Sequence, residues 1–115
     1  MVDPYCPESG DLVWFDFNPQ TGHEQDGRRP ALVLSPRSFN QRTSLVYVCP
    51  ITSKIKGYAF EVQLPPELPV HGAILCEHLR SLDWQARNAM PIGKAPDNVL
   101  QEVREIVASI AGITP

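Results

Sequence analysis

No apolar run in this 115-residue chain approaches the ~20 residues of a membrane-spanning helix, which predicts a protein with no membrane partner. Cysteine is scarce. Cys6, Cys49 and Cys76 form no Cys-x-x-Cys pair, and an odd count without local spacing argues against both a disulfide framework and a structural zinc site. His23, His71 and His78 are equally scattered, so neither a metal nor a cofactor is expected. A phosphate-cradling glycine loop, a Gly-x-Ser-x-Gly elbow and a dinucleotide fingerprint are all missing. The opening residues, MVDPYCPESGD, lack the basic start and apolar stretch of a signal peptide, which predicts a cytoplasmic location.

Two further absences concern charge. Residues 1 to 27 carry six carboxylates (Asp3, Glu8, Asp11, Asp16, Glu24, Asp26) and no Lys or Arg. Residues 28 to 56 carry six cations (Arg28, Arg29, Arg37, Arg42, Lys54, Lys56) and no carboxylate. The formal net charge of -3 therefore hides a basic region able to hold a polyanion. The composition, 43% apolar and 20% charged, is that of an ordinary globular chain. Its length predicts one domain, 1–115, with a modest core that oligomerisation would supplement.

Twelve prolines cut the chain into short segments, favouring strands and turns over long helices. DLVWFDF (Asp11 to Phe17) reads as a strand covered on both faces. ALVLS (Ala31 to Ser35) and SLVYVCPIT (Ser44 to Thr52) read as a second and a third, with a short helical turn at RSFNQR between them. FEVQL (Phe60 to Leu64) alternates and should be half exposed. GAILCEHLRSLDW (Gly72 to Trp84) predicts a strand running through a bend into another. From Pro96 the period changes: Val99, Leu100, Val103, Ile106, Val107 and Ile110 form one helical stripe, with Gly112 as terminator. The expected fold is α+β, mainly β, with five or six short strands in a small, strongly bent sheet or barrel and a C-terminal helix.

The charge boundary supplies the candidate chemistry. Gly22 and Gly27 bracket His-Glu-Gln-Asp, predicting a loop able to act as a flap, and Arg29 follows it at the start of a strand. A guanidinium fixed there can bind a phosphate or stabilise charge developing on phosphorus; an ion pair with Glu24 or Asp16 is the structural alternative. Thr52, beside Lys54 and Lys56, can contact a phosphate or simply cap its own turn. Glu77-His78 joins a carboxylate to an imidazole, but strand alternation would send them to opposite faces, with Arg80 on the face of His78. Phe39, Tyr47 and Tyr58 are better stacking candidates than Trp14 and Trp84, which read as core or interface residues.

GDLVWFDFNPQTGHEQDGRRPALVLSP, PITSKIKGYAFEVQL and GAILCEHLRSLDW together resemble the MazF/PemK (Kid) family of toxin endoribonucleases from bacterial toxin-antitoxin modules. The resemblance runs from about Gly10 into the C-terminal helix, with its pieces in the family's order and spacing. It implies an SH3-like small barrel with a C-terminal helix, forming a homodimer. It implies metal-independent, sequence-preferring cleavage of single-stranded RNA or mRNA to 2′,3′-cyclic phosphate and 5′-hydroxyl ends, inhibited by a cognate, MazE-like antitoxin. By position, Arg29 matches the catalytic arginine, Thr52 the active-site threonine and Glu24 the loop glutamate. His23, Gln25, Arg28, Lys54, Lys56, Tyr58, Glu77, His78 and Arg80 are the expected RNA contacts.

The chain departs from the family at one place. Glu77-His78 stands where many relatives have Asp-Gln, and Leu75 where the Kid-type arginine stands, which favours a mechanism built on Arg29 and Thr52. Two other functions fit the same fold: a toxin that poisons DNA gyrase, or an RNA-binding module without nuclease activity.

Overall fold

Short β-rich runs separated by turns produce, among the described residues, seven strands and two helices. They follow in the order β1 (Asp11–Asp16), β2 (Arg28–Val33), α1 (Arg37–Thr43), β3 (Leu45–Thr52), β4 (Glu61–Gln63), β5 (Ala73–Leu75), β6 (Arg80–Asp83), β7 (Met90–Lys94) and α2 (Asp97–Ile110). A 3-10 turn, Cys76–His78, links β5 to β6. The computed structural model describes residues 4–17 and 27–113. Every pairing is antiparallel, in the order β4-β5-β3-β2-β1-β7, with β6 also on β3. β3 bends the sheet: Leu45 to Val48 pair with β6, whereas Ile51 and Thr52 pair with β5. The result is a barrel-like antiparallel sheet, not closed among the described residues, with a C-terminal helix.

Alternation along β3 divides the core in two. Cys49 and Ile51 join Leu12, Leu32, Val62 and Ile74 on one face, where Val99, Leu100 and Val103 of α2 cover them. Val46 and Val48 join Phe15, Phe17, Ala31, Val33 and Trp84 on the other. Fully burying one such aliphatic side chain contributes about 2 kcal/mol. Burial pushes the Cys76 thiol up to about 12 and raises Cys49 as well, so both remain protonated packing groups.

The structure extends and corrects the sequence expectations. β1 is covered on both faces except at Trp14, which is 43% exposed. β2 begins at Arg28 rather than Ala31, because Arg28 and Arg29 pair with Asp16 and Phe15. β7 was not expected, since Pro91 and Gly93 disfavour a strand; it survives as an edge strand on β1, beside a register shift at Leu12/Val13. α2 has the expected stripe, but Ile110 lies 47% exposed at its end. Gly112, at φ 76, follows in the left-handed conformation of a helix terminator.

α1 is short, and one residue anchors it. Asn40 is fully buried, and its Nδ2 donates to the carbonyls of Pro7 (2.8 Å) and Ser35 (3.0 Å). Its Oδ1 accepts from Ser35 Oγ at 2.5 Å, and its backbone carbonyl accepts from Trp84 Nε1 at 2.8 Å. Asn40 thereby ties the N-terminal segment, the residues just after β2 and the residue just after β6 together. Asn40→Ala should leave buried carbonyls unpaired and cost about 3 kcal/mol, read as a lower denaturant midpoint at unchanged slope.

Candidate functional site

Residues directly opposite in an antiparallel ladder point to the same face. In β3 and β5, Thr52 lies opposite Ala73, and in β4 and β5, Glu61 lies opposite Leu75. Thr52, Leu75 and Glu61 therefore share the sheet face away from Ile51, Ile74 and α2. They form the floor of an open groove of about 350 Å³, completed by Lys54, Lys56, Tyr58, Glu77 and His78. On the other side of β3, Ala31 pairs with Pro50 and Val33 with Val48. The ladder ends at Ala31 and Pro50, so Arg29, two residues before Ala31, shares the strand face of Ala31 and Val33 without pairing with Thr52, and it is not among the groove-lining residues.

Thr52 is buried, and its Oγ1 accepts the backbone N–H of Lys54 at 3.1 Å. This is the turn-capping contact that its sequence position allowed. It also fixes the rotamer and leaves the hydroxyl proton free to donate to an anion. Gly72 is needed at this place, because at φ 131 a Cβ would sit 2.2 Å from the Thr52 carbonyl oxygen. Sequence reading passed over Gly72, and its neighbours Pro69, Val70 and His71 give no sign of this close approach.

The 54–60 loop is shaped by Glu61, another residue that the sequence reading missed. Glu61 Oε1 accepts the backbone N–H groups of Lys56 (3.0 Å) and Gly57 (2.9 Å), while its own N–H donates to the Tyr58 carbonyl (3.0 Å). Lys56 Nζ lies 5.8 Å from the centre of the Tyr58 ring. Lys54 and Lys56 enter no ion pair with a described residue. The groove thus presents two available cations and one exposed aromatic ring.

Glu77 and His78 both line the groove, contrary to the alternation expected of a strand. The 3-10 turn is the reason: Cys76 enters the core and the next two side chains emerge together. Arg80, in β6 opposite Val48, does not line the groove with His78; its Nη1 is buried with no hydrogen-bond partner among the described residues. Of the stacking candidates only Tyr58 reaches the groove, because Phe39 and Tyr47 pack edge to face on each other, centroids 5.5 Å apart. Trp84 is buried and Trp14 half exposed, both outside the groove. His23, Glu24 and Gln25 lie outside the described residues.

Arg28 has a different setting from Arg29. Its Nη1 meets Asp16 Oδ1 at 2.8 Å and its Nη2 donates to the Asn88 carbonyl at 2.9 Å, while Asn88 Nδ2 donates to Asp16 Oδ2 at 2.8 Å. The ion pair considered for the arginine at this boundary thus involves Arg28. The Asn88 amide and the Arg28 guanidinium hold the Asp16 carboxyl below its usual range. No group of three His, Cys, Asp or Glu among the described residues could hold a metal ion.

The model of the PemK-like, MazF-like toxins of type II toxin-antitoxin systems matches residues 8–111. The chain belongs to this family. Endoribonuclease toxin MazF of Escherichia coli (strain K12) is 39% identical over 112 residues, covering 97% of this chain and 100% of that protein. Endoribonuclease toxin ChpB of the same organism is 46% identical over 100 residues, covering 83% of this chain and 85% of its own. Among solved structures, MazF (Form-I) from Deinococcus radiodurans superposes with a TM-score of 0.92 at 54% identity, covering 95% of this chain and 99% of that one. The MazE-MazF (Form-II) structure from the same organism gives 0.86 at 48% identity, covering 96% and 100%. The barrel-like sheet and C-terminal helix are therefore the family's fold.

Two measurements test this geometry without reference to activity. Glu61→Ala should speed amide hydrogen exchange at Lys56 and Gly57 by about tenfold, and Glu61→Gln, which keeps an acceptor oxygen, should restore most of the protection. Asp16, with its pKa lowered by folding, contributes stability that is present above about pH 4 and lost as pH falls through its lower folded value. Asp16→Asn should flatten that part of the acid profile, seen in thermal midpoints measured between about pH 2 and pH 6. The exposed setting of the pair keeps the change small.

Proposed function

We propose that this chain is a cytoplasmic, sequence-preferring endoribonuclease toxin that cleaves single-stranded RNA without a metal ion and is inhibited by a MazE-like antitoxin. A single toxin domain, 1–115, carries the activity and works as a homodimer. The observation that carries the reading is the groove that joins Thr52 to Lys54 and Lys56, two lysines in no ion pair with a described residue, with Arg29 on the neighbouring strand β2. Endoribonuclease names on relatives of similar length and a solved MazE-MazF complex support it.

The chemistry follows from the substrate. The ribose 2′-hydroxyl attacks its own phosphorus, the bond from phosphorus to the 5′-oxygen breaks, and the products are a 2′,3′-cyclic phosphate and a 5′-hydroxyl. Since the nucleophile belongs to the RNA, the protein has to hold the reacting atoms in line and stabilise charge. The proton lost by the 2′-hydroxyl is the one gained by the leaving 5′-oxygen, relayed through water. Arg29 stabilises the phosphorane and donates a hydrogen bond to that leaving oxygen, and the free proton of Thr52 Oγ1 binds a phosphate oxygen. Glu24 assists from the preceding loop. Lys54 and Lys56 hold flanking phosphates, Tyr58 stacks on a base, and His23, Gln25 and His78 complete the RNA contacts, whereas Arg80 lies outside the groove. Arg28 contributes by anchoring the loop to Asp16 and Asn88 beside its phosphate role. DNA lacks the nucleophile and is spared.

Purified protein in excess chelator should cut single-stranded RNA and leave cyclic phosphate ends. Arg29→Ala should lower the rate about 10²- to 10³-fold while the thermal midpoint and dichroism stay native. Binding without cleavage would instead identify an RNA-binding module, and normal cutting by Arg29→Ala would remove the assigned role.

A further inference from the structure

Two carboxylates line a groove whose other charged groups are lysines, and their surroundings differ. Glu61 is accounted for by the loop, since its Oε1 accepts two backbone N–H groups. Glu77 is exposed and forms no hydrogen bond or ion pair with a described residue, although Lys54 and Lys56 line the same groove. The 3-10 turn holds it there beside half-buried His78, in the groove that the exposed ring of Tyr58 also lines.

A polyanion meeting this surface gains from the lysines and is repelled at Glu77. An ionised carboxylate only accepts hydrogen bonds, so donors on the ligand are what turn the repulsion into attraction. The phosphates of RNA offer none. Its bases do: adenine, cytosine and guanine each carry an exocyclic amino group on the Watson–Crick edge, which single-stranded RNA leaves open to a protein. Uracil instead presents two carbonyl oxygens around a single N–H, and those oxygens oppose a carboxylate.

We propose that Glu77 is a specificity-determining residue that reads the amino group of an RNA base stacked near Tyr58. The groove consequently prefers adenine, cytosine or guanine over uracil at that nucleotide. This rests on the endoribonuclease reading above, and it assigns the Glu77-His78 pair a role separate from bond cleavage.

The test is end-mapping of a randomised single-stranded RNA pool cut by the wild-type protein and by Glu77→Gln. Wild type should discriminate against uracil at one position adjoining the cleaved bond by about tenfold or more. Glu77→Gln should still cut but lose most of that discrimination, because its amide can donate to a uracil carbonyl. A second measurement needs no variant: wild type should cut an RNA several-fold more slowly when the preferred base at that position is replaced by its analogue lacking the amino group. Cutting by Glu77→Gln with unchanged base preference, or full activity on the analogue, overturns the proposal. Loss of cleavage of every RNA by folded Glu77→Gln overturns it too, since the role would then be chemical. Failure of wild type to cut any RNA would overturn the endoribonuclease reading itself, a result distinct from these.

Discussion

The register of β3 is the constraint on which the site depends. One side of this strand pairs with β2, the other with β6 and then β5, so the strand fixes which residues of four elements share a face. A slip of one residue would turn Ile51 into the groove and Thr52 toward α2, losing both core and site together. Several features resist that slip. Cys49 and Ile51 fit only the α2 side, Gly72 admits the Thr52 carbonyl where any side chain would collide, and Asn40 holds the strand's approach through Ser35 and Trp84. None of these residues need touch a ligand, yet each determines where Thr52 stands.

The abrupt sign change in the sequence acquires a physical meaning in the fold. The three ion pairs formed among the described residues join Asp16, Glu8 and Asp11 of the acidic segment to Arg28, Arg37 and Lys94. Asp11 also accepts from the Tyr5 hydroxyl at 2.6 Å, and burial with that bond raises the tyrosine pKa. The acidic segment therefore neutralises cations at positions away from the groove, while Lys54 and Lys56 stay available within it. Sequence separation serves the same end: a basic stretch with no internal carboxylate has few local ways to neutralise itself.

Much of this was legible before the coordinates. Six strands and the C-terminal helix announce themselves through β-branched runs and a 3.6-residue stripe, and the family resemblance pointed to Arg29 and Thr52. What escaped depends on tertiary pairing or local turns. β7 hides behind a proline and a glycine that only an edge strand tolerates. Glu77 and His78 share a groove because of a 3-10 turn whose sequence, CEH, reads equally well as strand. Arg28 and Arg29 are identical in composition and differ only in strand parity, which sends one to Asp16 and the other to the face of Phe15, Ala31 and Val33. Glu61 offered a faint signal, an acid four residues after Gly57, but its role emerges only when the loop folds back.

The neck of the segment between β1 and β2 shows how this fold separates holding from reacting. Phe17 N–H donates to the Gly27 carbonyl at 2.9 Å, and Asp16, Arg28 and Asn88 close the next level of the same neck. The backbone N–H of Asp16 donates to the Arg87 carbonyl at 2.9 Å, so the 83–89 turn braces the neck from the third side. Arg29 comes one residue after Arg28, already within β2 and paired with Phe15. Its backbone position is therefore set by the sheet and the neck. In the proposed mechanism this suits Arg29, since a cation facing a charged phosphorane gains most when its placement is settled beforehand and no reorganisation is needed as the charge develops. The neck supplies that placement with polar bonds at the surface, which leaves the apolar core on that face to Phe15, Phe17 and Trp84.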